Sequence, residues 1–360
     1  MKKKNLRNWI WLGASTAILA LIIYNLRHNP EWRQFDWSRL WASLTSARPG
    51  LLLLALAGVY TTYLVRALRW QFLMHPIKKG SLWVLFVGQM LGFSSIYLVG
   101  RPGEFVRPAY IARKESLPIT SMVAVWLMER IFDSICLVLL FSVVLYFAPV
   151  GMSAGGEHTL SVMHQAGDGM LLITVVLVAG LIAYRLKTQA LTDWVLRNIQ
   201  FLPQKVQHHI QHFLSSFAEG LQVVRSMPDF LGSVALSIVL WSTNATIFWL
   251  TLKSLGGRLG DLVWLAAALV MFCASLGLVV QFPGIGGGYQ VGIILALTEI
   301  FGIGADVSTG AAILLWLMMS VPTLLLSLGL LVHEGLSIRR LEAIAEEEEM
   351  EQAAAVEETE

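Results

Sequence analysis

Long apolar runs separated by short polar connections dominate this chain. Residues 9–24, 51–73, 120–147, 230–252 and 307–332 are apolar over most of their length. A helix rises ~1.5 Å per residue and about 20 apolar residues cross a hydrocarbon layer, so these runs read as membrane-spanning helices. Further apolar segments occupy 81–99, 170–184, 262–281 and 288–301. Two stretches are one-sided instead. Within 187–228, Val206, Ile210, Phe213, Leu214, Phe217, Leu221 and Val224 recur at helical spacing and predict an amphipathic helix. Residues 29–46 interleave Trp32, Phe35, Trp37, Leu40, Trp41 and Leu44 with Arg33 and Arg39, with Asn29 as cap and Pro30 in the first turn. That pattern predicts a helix lying in the membrane interface. The fold class is an all-α, polytopic membrane helix bundle.

Charge orients the spans. Connections 149–169 and 302–306 contain no Lys or Arg, whereas 185–228 contains Arg185, Lys187, Arg197, Lys205 and Arg225. Basic residues favour the cytoplasmic side, so the first two are external and the third, with the amphipathic helix 187–228, is cytoplasmic. The basic stretch from Met1 to Arg7 places the N-terminus inside, ahead of an uncleaved first helix 9–24. Arg66, Arg69, Lys78 and Lys79 mark the cytoplasmic end of the 51–73 span. If 81–99 crossed completely, Arg101, Arg107, Arg113 and Lys114 would be external and every later sign would invert. The signs are restored if 81–115 enters from the cytoplasm, breaks at Gly100, Pro102 and Gly103, and returns. The same device is needed at 262–301, breaking at Pro283, Gly284, Gly286 and Gly287 and entering from outside. Repeat one, 51–147, is then mirrored by repeat two, 230–332, giving two opposed re-entrant helical hairpins in an inverted-topology repeat. The expected organisation is one transmembrane domain over 1–340 in the cytoplasmic membrane, with both termini cytoplasmic.

Composition agrees. Of 360 residues, 56% are hydrophobic and 14% charged, and the mean hydropathy is +0.65, which excludes an ordinary soluble globule. The 13 tryptophans suit a headgroup interface. A formal charge of +2 hides an asymmetry: residues 341–360 hold 9 of the 24 acids and no Lys or Arg. This acidic tail is predicted to be disordered. The remainder is basic and better matched to anionic lipid than to nucleic acid, since it carries no compact Lys/Arg stripe. Cys136 and Cys273 fall inside apolar runs and read as packed free thiols.

The chemistry concentrates at 100–108. Charges at membrane depth cost roughly 2.5 to 3.5 kcal/mol each on insertion scales, so Arg101, Glu104 and Arg107 are candidate site residues. Pro102 and Gly103 interrupt the incoming helix, Glu104 opens the outgoing one, and free amides with two arginines would seat a phosphate. A buried salt-bridge clamp is the structural alternative. Glu129 and Asp133, four apart on one helix face with Arg130 adjoining, either pair with Arg101 or Arg107 or flank a headgroup path. At the second break the glycines permit close backbone approach, and Tyr289 and Gln290 offer hydroxyl and amide groups. No strand precedes that glycine run and no Lys-Ser/Thr follows it, so it is not a nucleotide loop. His208 and His212 lack accompanying carboxylates or cysteines and read as a solvated face; no metal or cofactor is expected. Asn244, with Thr243 and Thr246, reads as interhelical glue.

Gly-Arg-Pro-Gly-Glu-Phe-Val-Arg at 100–107, Glu-Arg-Ile-Phe-Asp at 129–133 and Pro-Gly-Ile-Gly-Gly-Gly-Tyr-Gln at 283–290 together resemble the transmembrane-region family of lysylphosphatidylglycerol synthases. The likeness covers about residues 8–335. Gln290 departs from it, standing where many members carry Glu, and an uncharged amide cannot relay a proton. The resemblance implies lipid translocation, with the 101/104/107 and 129/130/133 groups lining the path. It also implies that this chain, with 20 residues after Arg340, lacks the aminoacyl-transferase domain of the bifunctional members. The expected function is a flippase or transporter for a phosphate-bearing lipid: a phospholipid, an aminoacylated phospholipid or a polyprenyl-linked lipid. Without an ATPase motif, it would run downhill or on an ion gradient. The rivals are a membrane enzyme modifying such lipids, with Glu104, Glu129 or Asp133 as acid/base groups, and a non-catalytic subunit of one. Partner classes beyond lipid are a second copy of the chain and a lipid-synthesising enzyme.

Overall fold

The computed structural model describes residues 36–99, 101–147, 226–278, 281–282 and 286–334, with isolated positions between 165 and 198. The predicted first helix 9–24 and the acidic tail lie outside the described residues, as do the histidines at 208, 209 and 212 and the break residues Gly100, Pro283 and Gly284.

Of the helix expected over 29–46, the described part is α1 (Trp37–Thr45), capped by Asp36, whose carboxylate accepts from the Ser38 amide at 2.8 Å. Trp37 and Trp41 are exposed while Leu40 is buried, as a one-sided helix requires. Then follow α2 (Pro49–Met74), α3 (Leu82–Val99), a 3-10 turn (Arg101–Phe105), α4 (Val106–Glu115) and α5 (Ile119–Phe147). The second half holds α6 (Met227–Ser254), a short α7 (Gly257–Gly260), α8 (Trp264–Gly277), α9 (Gly288–Leu295) running into a π turn (Ala296–Ile300), and α10 (Ala305–His333). Helices α2, α6 and α10 are long and apolar enough to cross a membrane, with mean hydropathies of 1.8, 1.5 and 2.1. Helix α5, at 29 residues, matches them in length but carries Glu129, Arg130 and Asp133. Leu53, Leu54, Ile238, Leu325 and Val332 remain exposed, a surface made for lipid.

Helices α2 and α6 make the most extensive pair and run antiparallel. The Arg48 amide donates to the Ser254 carbonyl at one end (2.9 Å), and His75 meets Asp229 at the other (3.0 Å). Helix α10 lies parallel to α2, with Tyr63 and Thr323 hydroxyls 2.9 Å apart, and ends at Glu334, which pairs with Lys114 at 2.5 Å.

Two helical hairpins pack on this frame. In the first, α3 turns through the 3-10 segment into α4. Gly92 lies so close to Arg107 that an added Cβ would stand 2.6 Å from the arginine Cβ, and one at Gly103 would collide with the Ser95 backbone. The mouth is tied shut. Lys78 donates to the Glu115 carbonyl at 2.7 Å and pairs with its carboxylate at 2.8 Å, while the Ser81 amide donates to the same carboxylate at 2.9 Å. In the second hairpin α8 packs on α9 with backbone in contact, Gly277 on Gly288 and Gly292 on Cys273. Its mouth is tied by Arg258, which donates to the carbonyls of Gly302 (2.6 Å) and Phe301 (2.9 Å).

Three expectations need correction. Arg66 and Arg69 do not mark a helix end: α2 continues to Met74, and Arg69 is fully buried. The outgoing limb of the first hairpin begins at Val106 rather than Glu104, because the 3-10 turn takes residues 101–105 and Pro108 fits the first turn of α4. The second break is not purely helical, since Gln281–Phe282 pairs antiparallel with Gly286–Gly287. Gly287 there has φ +106°, which side-chain-bearing residues rarely adopt.

Candidate functional site: a buried arginine cluster beside a cavity

Four arginines and two carboxylates meet inside the bundle. Arg69 of α2 donates to Asp133 at 2.6 Å, to Glu129 at 2.7 Å and to the Ser237 hydroxyl at 3.0 Å. Arg107 of α4 pairs with the other Glu129 oxygen at 2.6 Å and donates to Gln89 of α3 at 2.6 Å, its guanidinium 5.0 Å from the Trp70 ring centroid. Arg130 stands 3.5 Å from both carboxylates. Arg66 is looser, 3.7 Å from Glu129 and 3.9 Å from Asp133, and lies 4.6 Å from the centre of the Phe93 ring. Helical spacing explains the convergence. Arg66 and Arg69 are three apart, and Glu129 and Asp133 four apart, so each pair projects from one face. The first hairpin then brings Arg107 and Gln89 against them.

These six groups sum formally to +2, and Glu104, which acts electrostatically on Arg130, brings the sum to +1. Buried charge of one sign is costly unless something compensates it. Glu104, half-buried on the 3-10 turn, is the acid closest in sequence to these groups on the first hairpin; the Arg101 side chain lies outside the described residues.

Arg66 also lines a cavity of about 140 Å³. Tyr97 near the end of α3 and Tyr289 in the first turn of α9 both reach it, so the tips of the two hairpins share one space. Tyr289 packs edge-on against Phe248, ring centroids 6.1 Å apart. Trp241 and Asn244 of α6 and Trp316 of α10 add to the wall. Among the described residues, four that line the cavity carry a buried N–H or O–H without a hydrogen-bond partner: Arg66 Nη1, Trp241 Nε1, Tyr289 OH and Trp316 Nε1. An unmet buried donor costs about 1–3 kcal/mol, but these four atoms have almost no accessible surface themselves, and Arg66 Nη1 is directed at Glu129 and Asp133.

The candidates named from sequence therefore divide. Arg107, Glu129, Arg130 and Asp133 converge in the cluster, and Tyr289 reaches the cavity. Gln290 turns back instead, its side-chain oxygen accepting from the Gly287 amide at 2.7 Å at the start of α9. Thr246 does act between helices, accepting from Trp264 at 3.0 Å, but Asn244 bonds within its own helix and faces the cavity. Sequence reasoning missed Arg66, Arg69, Gln89, Trp241 and Trp316. The two arginines had a signal: they lie four and seven residues before the end of the otherwise apolar run 51–73.

These features define a helical membrane protein that keeps a charged cluster and an aromatic-walled cavity within its bundle. A sequence model described as "Lysylphosphatidylglycerol synthase TM region" matches residues 10–327, and the chain belongs to that family. No curated protein matches the chain. No solved structure matches it either.

Proposed function

We propose that this protein moves a phosphate-bearing lipid across the membrane, holding the headgroup in the cavity where two re-entrant hairpins meet. The observation that carries the reading is the cavity at the hairpin tips, whose wall of hydroxyl, amide and indole groups is backed by a cluster of net positive charge. A phosphate offers several acceptor oxygens and a negative charge, and so satisfies both.

Hairpin depth supports the re-entrant reading. The Arg107 guanidinium touches both Gln89 and the Trp70 ring, and Phe93 meets Arg66, so α3 climbs α2 antiparallel. In that register Val99 stands near Tyr60, leaving α2 about 16 Å beyond the tip at ~1.5 Å per residue. The mouths point oppositely. Lys78 and Glu115 lie at the end of α2 marked by His75, and Arg258 follows α6 at the end marked by Arg48. The first of these ends also carries Lys79, Arg113 and Lys114 and is assigned to the cytoplasm. The frame helix α2 is followed by one hairpin and its antiparallel partner α6 by the other, which is the order of an inverted repeat.

The test is translocation in proteoliposomes, using acyl-labelled phospholipid and an impermeant quencher. The wild-type chain is expected to expose inner-leaflet label faster than protein-free vesicles, and Arg66→Gln to slow this at least about tenfold while remaining folded. A wild-type rate equal to that of empty vesicles, or an unaffected variant, sinks the proposal.

A further inference from the structure

We infer that α10 is hinged at Pro322: its two halves belong to different hairpins, and the helix bends there when one hairpin moves against the other. The inference concerns motion of the bundle and holds whatever the cavity binds.

The two halves pack into different cores. Ala311, Ala312 and Leu315 are fully buried in a cluster shared with Ile293 and Leu297, on the outgoing limb of the second hairpin. Leu330 and Leu331 belong instead to the cluster that holds Leu85 and Ile111 of the first hairpin. Polar ties divide at the same place. Before the proline, Asp306 stands 3.9 Å from Arg39 of α1. After it, the Ser327 hydroxyl donates to the Met90 carbonyl of α3 at 3.0 Å, His333 packs edge-on against Trp83 at 6.2 Å, and Glu334 pairs with Lys114 of α4 at 2.5 Å.

Between the halves the helix is weakened. Pro322 has no amide to donate to the Met318 carbonyl, and its ring crowds that carbonyl, so one rung of the ladder is missing. On either side hydroxyls compete for neighbouring carbonyls. Ser320 donates to Trp316 and Thr323 to Met319, each at 2.7 Å, a pattern that loosens and bends helices. The frame holds α10 at the same point. Among the described residues, the hydrogen bonds from α2 to α10 are those of Tyr60, which donates to the Pro322 carbonyl at 3.4 Å, and Tyr63, which meets Thr323 at 2.9 Å. A helix pinned at a weak rung, and fastened on either side of it to separate bodies, bends at that rung. Trp316 and Met319 line the cavity from the second hairpin's side of the hinge, whereas Phe93 and Tyr97 line it from the first hairpin. Bending therefore shifts one part of the cavity wall against another.

Double electron–electron resonance on the full-length protein in phosphatidylethanolamine/phosphatidylglycerol nanodiscs tests this, with nitroxides on exposed positions in a Cys136→Ala, Cys273→Ala background. Labels at Ile313 and Val332 flank the hinge, about 28 Å apart along the helix axis. Labels at Leu98 and Val332 stay within the first hairpin and its half of α10, and labels at Val263 and Ile313 within the second. The flanking pair is expected to give a distance distribution at least about twice as broad as either control pair, and Pro322→Ala to narrow it to the controls' width. The same variant is expected to keep or raise the melting temperature, because alanine restores a backbone hydrogen bond and suits a helix interior. Equal widths among the three pairs, or a flanking distribution that Pro322→Ala leaves unchanged, overturns the inference. So does a melting temperature lowered by Pro322→Ala, which would make the proline a packing residue.

Discussion

Two arginines one turn apart on α2 should behave in opposite ways when neutralised. Arg69 is fully buried and makes three hydrogen bonds of 2.6 to 3.0 Å, two of them to carboxylates. Removing one partner of a buried ion pair costs about 3–5 kcal/mol, because the opposing charges stay desolvated. Arg66 makes no hydrogen bond through Nη1, and its carboxylate neighbours are 3.7 and 3.9 Å away. Neutralising it forfeits a cation–π contact worth about 1 kcal/mol, and removes one charge from a cluster whose formal sum with Glu104 is +1. Arg69→Gln should therefore lower the melting temperature of the detergent-solubilised protein by on the order of 10 °C, taking ~2–4 °C per kcal/mol, and Arg66→Gln by about 4 °C at most. Thermal unfolding followed by intrinsic tryptophan fluorescence reads both. If the two variants lose similar stability, or Arg66→Gln loses more, then Arg66 is a structural member of the cluster and the idea of an arginine reserved for ligand is wrong.

Two further outcomes follow from local geometry. Gly292→Ala should destabilise markedly, by about 1–3 kcal/mol, since its Cβ would strike the Cys273 carbonyl; Gly329→Ala on α10 meets nothing within 4 Å and should be neutral or stabilising by up to ~1 kcal/mol. Thermal melts of the pair decide this. Acidification should loosen the ties at one end of the bundle. Burial opposes ionisation of Glu115, but the Lys78 ammonium and the Ser81 amide outweigh it and hold the carboxyl below its ordinary value of 4.5. Lys114 does the same for Glu334. A lowered folded-state pKa contributes stability above that ordinary value and loses it as pH falls through the folded one. Wild type should thus lose more melting temperature below pH 4.5 than Glu115→Gln, by about 2–4 °C given a partly solvated pair worth ~1 kcal/mol. Parallel pH profiles would refute it.

Much of the helical frame was legible because the membrane imposes length. Runs of 23 to 28 apolar residues have one economical solution, and α2, α5, α6 and α10 fall within a few residues of the predicted bounds. The charged motif at 129–133 was equally legible, since burial of such groups demands partners. What pattern alone does not encode is partner identity across elements. Arg66 and Arg69 resembled an interfacial flank because basic residues near a span's end usually are one; only the pairing of α2 with α5 makes them interior. The cavity was less visible still. Trp241 and Trp316 sit in spans where tryptophan reads as anchor or filler, and an indole N–H becomes informative only when a structure shows it unpaired.

The glycine contacts inside each hairpin have a mechanical implication. Where backbone lies on backbone, as at Gly103 on Ser95 or Gly277 on Gly288, two limbs cannot slide past one another without losing contact along their length. With the mouths also tied by Lys78 and Arg258, each hairpin behaves as a stiff wedge driven into the frame. Any widening that admits or releases a ligand must then occur at the seams between a wedge and the α2/α6 frame. Spectroscopic labels spanning such a seam would register the motion, while labels across one wedge would stay at constant separation.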